Sequence, residues 1–140
     1  MPRRLTVREL MSTELVTLTE DETLAHAEHC MAQGRIRHLS VVRDGRLVGL
    51  VTHRDLLAAS FSVFAEVDST EQRRVFMTIP VADLMHRRIM TVAPEVTVPE
   101  AARMLLESKF GCLPVVGSDG ALMGLVTEAD FLRLTVRLLS

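Results

Sequence analysis

Two short strings hold the residues whose types and spacing could do chemistry: Gly-Leu-Val-Thr-His-Arg-Asp at 49–55 and Gly-Leu-Val-Thr-Glu-Ala-Asp at 124–130. In each, an apolar run ends on a threonine and an aspartate follows three positions later. The run reads as a strand, and Thr-x-x-Asp at its end is close to a capping box. Thr52 and Thr127 would be the N-caps, with Asp55 and Asp130 reaching back from the third helical position. Capping alone accounts for both residue types. The same geometry can also hold a ligand. A helix N-terminus presents free amides and a partial positive charge, which suits a phosphate. A carboxylate at its edge can accept hydrogen bonds from two hydroxyls.

The two strings differ where charge matters. The first has His53-Arg54 between its Thr and Asp, the second Glu128-Ala129. The basic pair suits a polyphosphate. Arg35, Arg37 and His38, in "RIRH" at 35–38, stand against "KFGC" at 109–112, so basic groups gather on the first copy. A solvated helix end with scattered arginines is the alternative, and Arg35 is read that way. Arg37, His38 and Arg54 are kept as candidate phosphate contacts.

The elements that position these residues form a repeat. "VRELM" at 7–11 returns as "VADLM" at 81–85, and Thr17, Thr23 and Ala27 return as Thr91, Thr97 and Ala101. "HLSVV" at 38–42 returns as "CLPVV" at 112–116, and Asp44-Gly45 as Asp119-Gly120. In the first copy a short strand is expected at Val16–Leu18. A helix capped by Thr23 follows, with Leu24, Ala27, Glu28 and Met31 on one face and Gly34 ending it. Strands at 39–42 and 46–52 join across Asp44-Gly45, a dipeptide suited to a tight hairpin, and a second helix starts after Thr52. The second copy repeats this, with a Thr97 cap, a helix to about Lys109 and a three-residue hairpin loop. Each half is strand–helix–strand–strand–helix, an α+β unit. A half this small buries its sheet poorly alone, so the expectation is two repeats packed sheet to sheet with pseudo-twofold symmetry. Residues 7–60 form the first repeat and 81–138 the second. Residues 61–80 have no counterpart and read as a helix extension and linker.

Bulk composition narrows the classes. The chain has 140 residues, 48% of them hydrophobic, and a net charge of −2. That supports a real core and argues against a general nucleic-acid binder. There is no Trp and no Tyr, so the usual stacking platform for single strands is missing. "MPRRLTVREL" has no apolar run after its arginines, so no signal peptide is read there. No stretch approaches the roughly 18 apolar residues of a membrane span, and a cytoplasmic, membrane-free protein is expected. Cys30 and Cys112 have no metal-type spacing and read as small core hydrophobes.

The order V-x-x-L-M, then Thr, then "RIRHLSVVRDGRLVGLVTHRD" resembles a CBS domain. Two such domains in tandem resemble a CBS pair, or Bateman module, over nearly the whole chain. The pattern is similar to small stand-alone CBS proteins of the acetoin-utilisation type. The resemblance implies a sensor of adenosyl ligands (AMP, ADP, ATP or S-adenosylmethionine) in two clefts between the repeats, with no required cofactor. It implies that Asp55 and Asp130 hold the ribose, and that Thr52 and Thr127 meet the ribose or first phosphate. His53 and Arg54 could reach across to the partner cleft. By the same resemblance, the segments Leu15–Thr17, Ile89–Thr91, His38–Ser40 and Cys112–Pro114 are candidates for the adenine slots, with Val16, Thr17, Met90, Thr91, His38, Cys112 and Pro114 singled out. For the apolar members, ordinary core packing is nearly as good a reading.

Other functions find less in the sequence. No nucleophile elbow, Walker loop or His-Glu-x-x-His is present. His53 and Asp55, two apart at a helix start, do not face each other as a base and its orienter would. The pair His26 and His29 is a weak metal signal and reads as a surface face. A structural dimer module with degenerate clefts stays open, because Thr and Asp also serve as caps. "EADFLRLTVRLLS" carries two apolar stripes: Phe131, Leu134 and Leu138, and Leu132, Val136 and Leu139. "LLAASFSVFA" at 56–65 is similarly broad. One packed face needs one stripe, so a homodimer through helices of both repeats is expected, with an unknown protein effector as a further partner.

Overall fold

The computed structural model describes residues 4–64 and 68–140, the side chains of 61–64 excepted. The chain divides into two units, Val16–Ile89 and the segment before Val16 together with Met90–Ser140.

In the unit of Val16–Ile89, β1 (Thr17–Leu18), β2 (His38–Arg43) and β3 (Arg46–Thr52) form a sheet in that order. β1 runs parallel to β2, and β2 antiparallel to β3 with a register shift between Val41 and Val42. Asp44 (φ 51°) and Gly45 (φ 77°) make the hairpin turn. Two successive positive φ values match the right-handed twist of the flanking strands. Helix α2 (Leu24–Gly34) starts where the Thr23 hydroxyl accepts the His26 amide at 3.2 Å. It buries Leu24, Ala27 and Met31. Glu28, expected on that face, is exposed. Gly34 is the last helical residue, as expected, and Arg35 (φ 52°) takes the left-handed position after it, with its amide reaching Met31 O. Leu18, Leu24, Ala27, Met31, Leu39, Val41 and Val51 share the core with Leu56 from α3 (His53–Phe64).

The segment read as a linker is partly structural. Helix α4 (Ser69–Phe76) is capped by Asp68, which accepts the Glu71 amide at 2.8 Å. Its Phe76 is 1% exposed and belongs to the same core. Of the broad stretch 56–65, residue 65 and the side chains of 61–64 lie outside the described residues. A single 3₁₀ turn at Val81–Asp83 follows. Val81 and Met85 complete the core.

In the other unit, β4 (Cys112–Val116) and β5 (Leu122–Thr127) pair antiparallel. The third strand is reduced to one parallel bridge, Val92 to Val115. Gly117 and Ala121 close the expected three-residue loop at 3.0 Å, with Gly120 at φ 87°. Helix α5 (Val98–Glu107) stops short of Lys109 because Ser108 is extended. Thr97 occupies its N-cap without a side-chain cap bond. The second helical residue is Pro99, which has no amide to offer. Val7, from α1 (Val7–Leu10), shares a core with Ala101, Leu105, Leu113, Val115 and Val126. Helix α6 (Glu128–Leu139) buries only Leu134. Leu132, Val136, Leu138 and Leu139 are all more than 60% exposed.

Sequence repeat and compact unit therefore divide the chain differently. The V-x-x-L-M segment of the second copy packs in the unit of the first strings, and that of the first copy in the other. His86 and Leu50 exchange backbone bonds at 2.8 and 3.0 Å, and Ser12 and Leu125 exchange two at 3.0 Å. The exchange explains the glycine of each Gly-Leu-Val-Thr. A Cβ at Gly49 would overlap the Met85 sulfur, and one at Gly124 would lie 2.7 Å from the Met11 sulfur.

Candidate functional site

Thr52 ends β3 and Asp55 lies in the first turn of α3. Asp55 Oδ2 accepts the Thr52 amide at 2.8 Å, and the Thr52 hydroxyl accepts the Asp55 amide at 3.2 Å. The reciprocal cap read from the sequence is thus present. Asp55 Oδ1 has a separate partner, His86 Nε2, at 2.8 Å. The Asp55 side chain is 17% exposed.

Cross-strand pairing gathers the other first-copy candidates. His38 stands opposite Thr52, and Thr17 opposite Ser40. Residues directly opposite share a face and successive residues alternate. Thr17, His38, Ser40 and Thr52 therefore share one sheet face, while Leu18, Leu39, Val41 and Val51 carry the helix-packed core on the other. Because β2 runs parallel to β1 and antiparallel to β3, β3 ends at the edge of the sheet where β1 and β2 start. Val16, 47% exposed, precedes β1 at that end. Arg37 lies just before β2, and its carbonyl accepts the His53 amide at 2.8 Å. Arg37, His53 and Arg54 are exposed and His38 is half-buried. The basic groups of the first copy thus collect at one sheet end.

The second-copy candidates take the matching places. Cys112 stands opposite Thr127 and Pro114 opposite Leu125. Pro114 O accepts the Val92 amide at 3.0 Å, which sets Met90 and Thr91 at the same end. Met90 is 38% exposed and Cys112 1%. Burial pushes the Cys112 thiol up to about 12. Asp130 Oδ2 accepts the Thr127 amide at 2.8 Å, and Asp130 Oδ1 accepts from Arg133 at 3.1 Å. A pocket of about 620 Å³ in this unit, bordered by Leu10, Val98, Leu134 and Arg137, contains none of the candidates.

His86 was missed by sequence reasoning. It follows the second V-x-x-L-M, where the first copy has Ser12, and this difference between copies was the available signal. Cys30 is half-buried and packs against the edge of the core rather than within it. Its Sγ lies 3.5 Å from His26 Nε2, and burial, then the charge of Glu22, raise its thiol pKa. His26 thus faces Cys30 and Glu22 (3.8 Å) on α2. Among the described residues no group of three acidic, His or Cys side chains could hold a metal ion.

Two α+β units, each with Thr-x-x-Asp where a strand end meets a helix start, define a tandem repeat protein. The CBS domain family model matches residues 7–62 and 81–137, and the chain belongs to that family. It is 34% identical over 134 residues to a CBS domain-containing protein of Dictyostelium discoideum, covering 95% of this chain and 92% of that one. Its fold is similar to that of a Vibrio cholerae protein described as an acetoin utilization protein (AcuB), with TM-score 0.82, 33% identity and coverage of 98% and 94%. It also resembles CBSX2 of Arabidopsis thaliana, solved in complex with AMP, with TM-score 0.81, 29% identity and coverage of 97% and 99%. Other relatives are longer. The chain spans 58% of a chloroplastic CBSX1 and 21% of several inosine-5'-monophosphate dehydrogenases, enzymes matched over only that part. Among the described residues no helix is long and apolar enough to cross a membrane.

Proposed function

We propose that this protein is a non-catalytic regulatory module that binds adenosyl ligands and signals through a partner or a change of assembly. The candidates are AMP, ADP, ATP and S-adenosylmethionine, with AMP favoured by the likeness to AMP-bound CBSX2. The observation that carries the reading is the placement of Asp55 and Asp130. Each is a mostly buried carboxylate, 17% and 14% exposed, at a helix N-terminus on a polar sheet end. In this reading the carboxylates take the ribose hydroxyls. Thr52 and Thr127 contact ribose or phosphate, and Arg37, His38, His53 and Arg54 serve the phosphates. Val16, Thr17, Met90, Thr91, Cys112 and Pro114 border the adenine.

One observation favours a purely structural role instead: both carboxylates already cap their helices. Calorimetry with AMP and ATP on Asp55→Asn and Asp130→Asn separates the two. Asn still serves near a helix start, so stability should fall by about 1 kcal/mol or less. It offers one accepting oxygen and no charge, so ribose binding should weaken about 10- to 150-fold. Unchanged affinity with lowered stability would make that aspartate a cap alone.

The exposed leucines and valine of α6 support a homodimer in which such helices meet. Sedimentation should give a dimer at micromolar concentration, and a monomer there would rule it out.

A further inference from the structure

We infer that His86 makes the two ribose sites unequal, by holding the Asp55 oxygen that a ligand would take. This rests on the sensor reading above. The two aspartates are alike in one oxygen: Oδ2 of each accepts its threonine amide at 2.8 Å. They differ in the other. Oδ1 of Asp130 meets Arg133 at 3.1 Å, a side chain 73% exposed and one turn along the same helix. Exposed pairs of this spacing contribute only a few tenths of a kcal/mol, and a long arginine swings away easily. Oδ1 of Asp55 meets the His86 ring at 2.8 Å, and that ring is 38% exposed. The imidazole has only two side-chain torsions, and its backbone is fixed to Leu50 by two hydrogen bonds. It cannot leave without cost.

A ribose hydroxyl donating to Asp55 Oδ1 must share or displace the His86 N–H. The same hydroxyl at Asp130 displaces only solvent-exposed Arg133. The residue at the matching position there is Ser12, whose backbone makes the same bridge to Leu125. An adenosyl ligand therefore fills the Asp130 site first, and His86 sets the interval to the second binding step.

Adenosine is the probe, because it has no phosphate to meet His53 or Arg54. In an Asp130→Asn background, calorimetry follows the Asp55 site alone. Adding His86→Ser places in this unit the side chain that the other already carries, with the backbone bridge retained. Adenosine affinity should rise at least about twofold where the oxygen is shared and up to about 150-fold where His86 is fully displaced, the upper figure being that of one hydrogen bond to a charged group. With Asp55→Asn also present, His86→Ser should change nothing. In the unaltered protein the ¹⁵N signals of the His86 ring should move as adenosine saturates the Asp55 site. Unchanged or weaker adenosine binding on His86→Ser, or ring signals that stay fixed at saturation, would overturn this inference and leave the sensor reading standing. Failure of the unaltered protein to bind either adenosine or AMP would overturn both.

Discussion

Adding one methyl group at Gly49 or at Gly124 tests the exchange of V-x-x-L-M segments between the repeats. Neither glycine has a positive φ, so alanine suits both backbones. Stiffening the unfolded chain should by itself stabilise each variant by about 0.4–1 kcal/mol. Contacts decide otherwise. At Gly49 the new Cβ overlaps the Met85 sulfur and lies 2.8 Å from its Cγ and 3.2 Å from its Cβ. All three atoms belong to one side chain, but Met85 is 7% exposed and has little room to yield. At Gly124 the Cβ lies 2.9 Å from Met11 Cγ and also 2.9 Å from the Ser12 carbonyl oxygen. That oxygen accepts the Leu125 amide, so relief there strains a backbone bond. Overpacking costs about 1–3 kcal/mol, and a compromised hydrogen bond about 1 more. Set against the chain-stiffening gain, Gly49→Ala should destabilise by about 1 kcal/mol and Gly124→Ala by about 2–3. Urea unfolding of both variants measures this. In a Met85→Ala background Gly49→Ala should cost nothing, whereas Met11→Ala should rescue Gly124→Ala only in part. A Gly124→Ala protein as stable as the original, or strict additivity of Gly49→Ala with Met85→Ala, would refute the packing argument.

Phe76→Ala should lower stability by about 3–5 kcal/mol, because Phe76 is fully buried in the core of the Val16–Ile89 unit; a loss under about 1 kcal/mol in urea unfolding would return α4 to the status of a linker. The thiol of Cys112 titrates near 12 when folded against an ordinary value of 9.0. Only the unfolded chain releases that proton above pH 9, so this group takes stability away as pH rises from 9 toward 12. Cys112→Ala should flatten that alkaline loss in urea titrations, and an unchanged slope would contradict it. In alkylation of the folded protein Cys30 should react well before Cys112, and equal rates would count against the burial of Cys112.

The sequence alone determined what depends on neighbours a few residues apart. The Asp44-Gly45 hairpin, the Thr23 cap and the reciprocal Thr52–Asp55 cap were readable because each partner lies within a turn. The repeat carried the α+β order of both halves. Gly34 was readable as the last helical residue, with the left-handed position falling on the next residue, Arg35. Local reading went astray at Glu28, which is exposed rather than on the buried face of α2. Tertiary contact decided the rest. Phe76 sits in a stretch without a counterpart, so only packing revealed it as core. The aspartate's second partner is 31 positions away, where no local rule applies. The same holds for Met85 beneath Gly49 and Met11 beneath Gly124. A repeat shows that two segments are alike but not which sheet each will join. That choice is made by apolar side chains and backbone hydrogen-bonding groups finding partners far along the chain, and it appears only once the chain has folded.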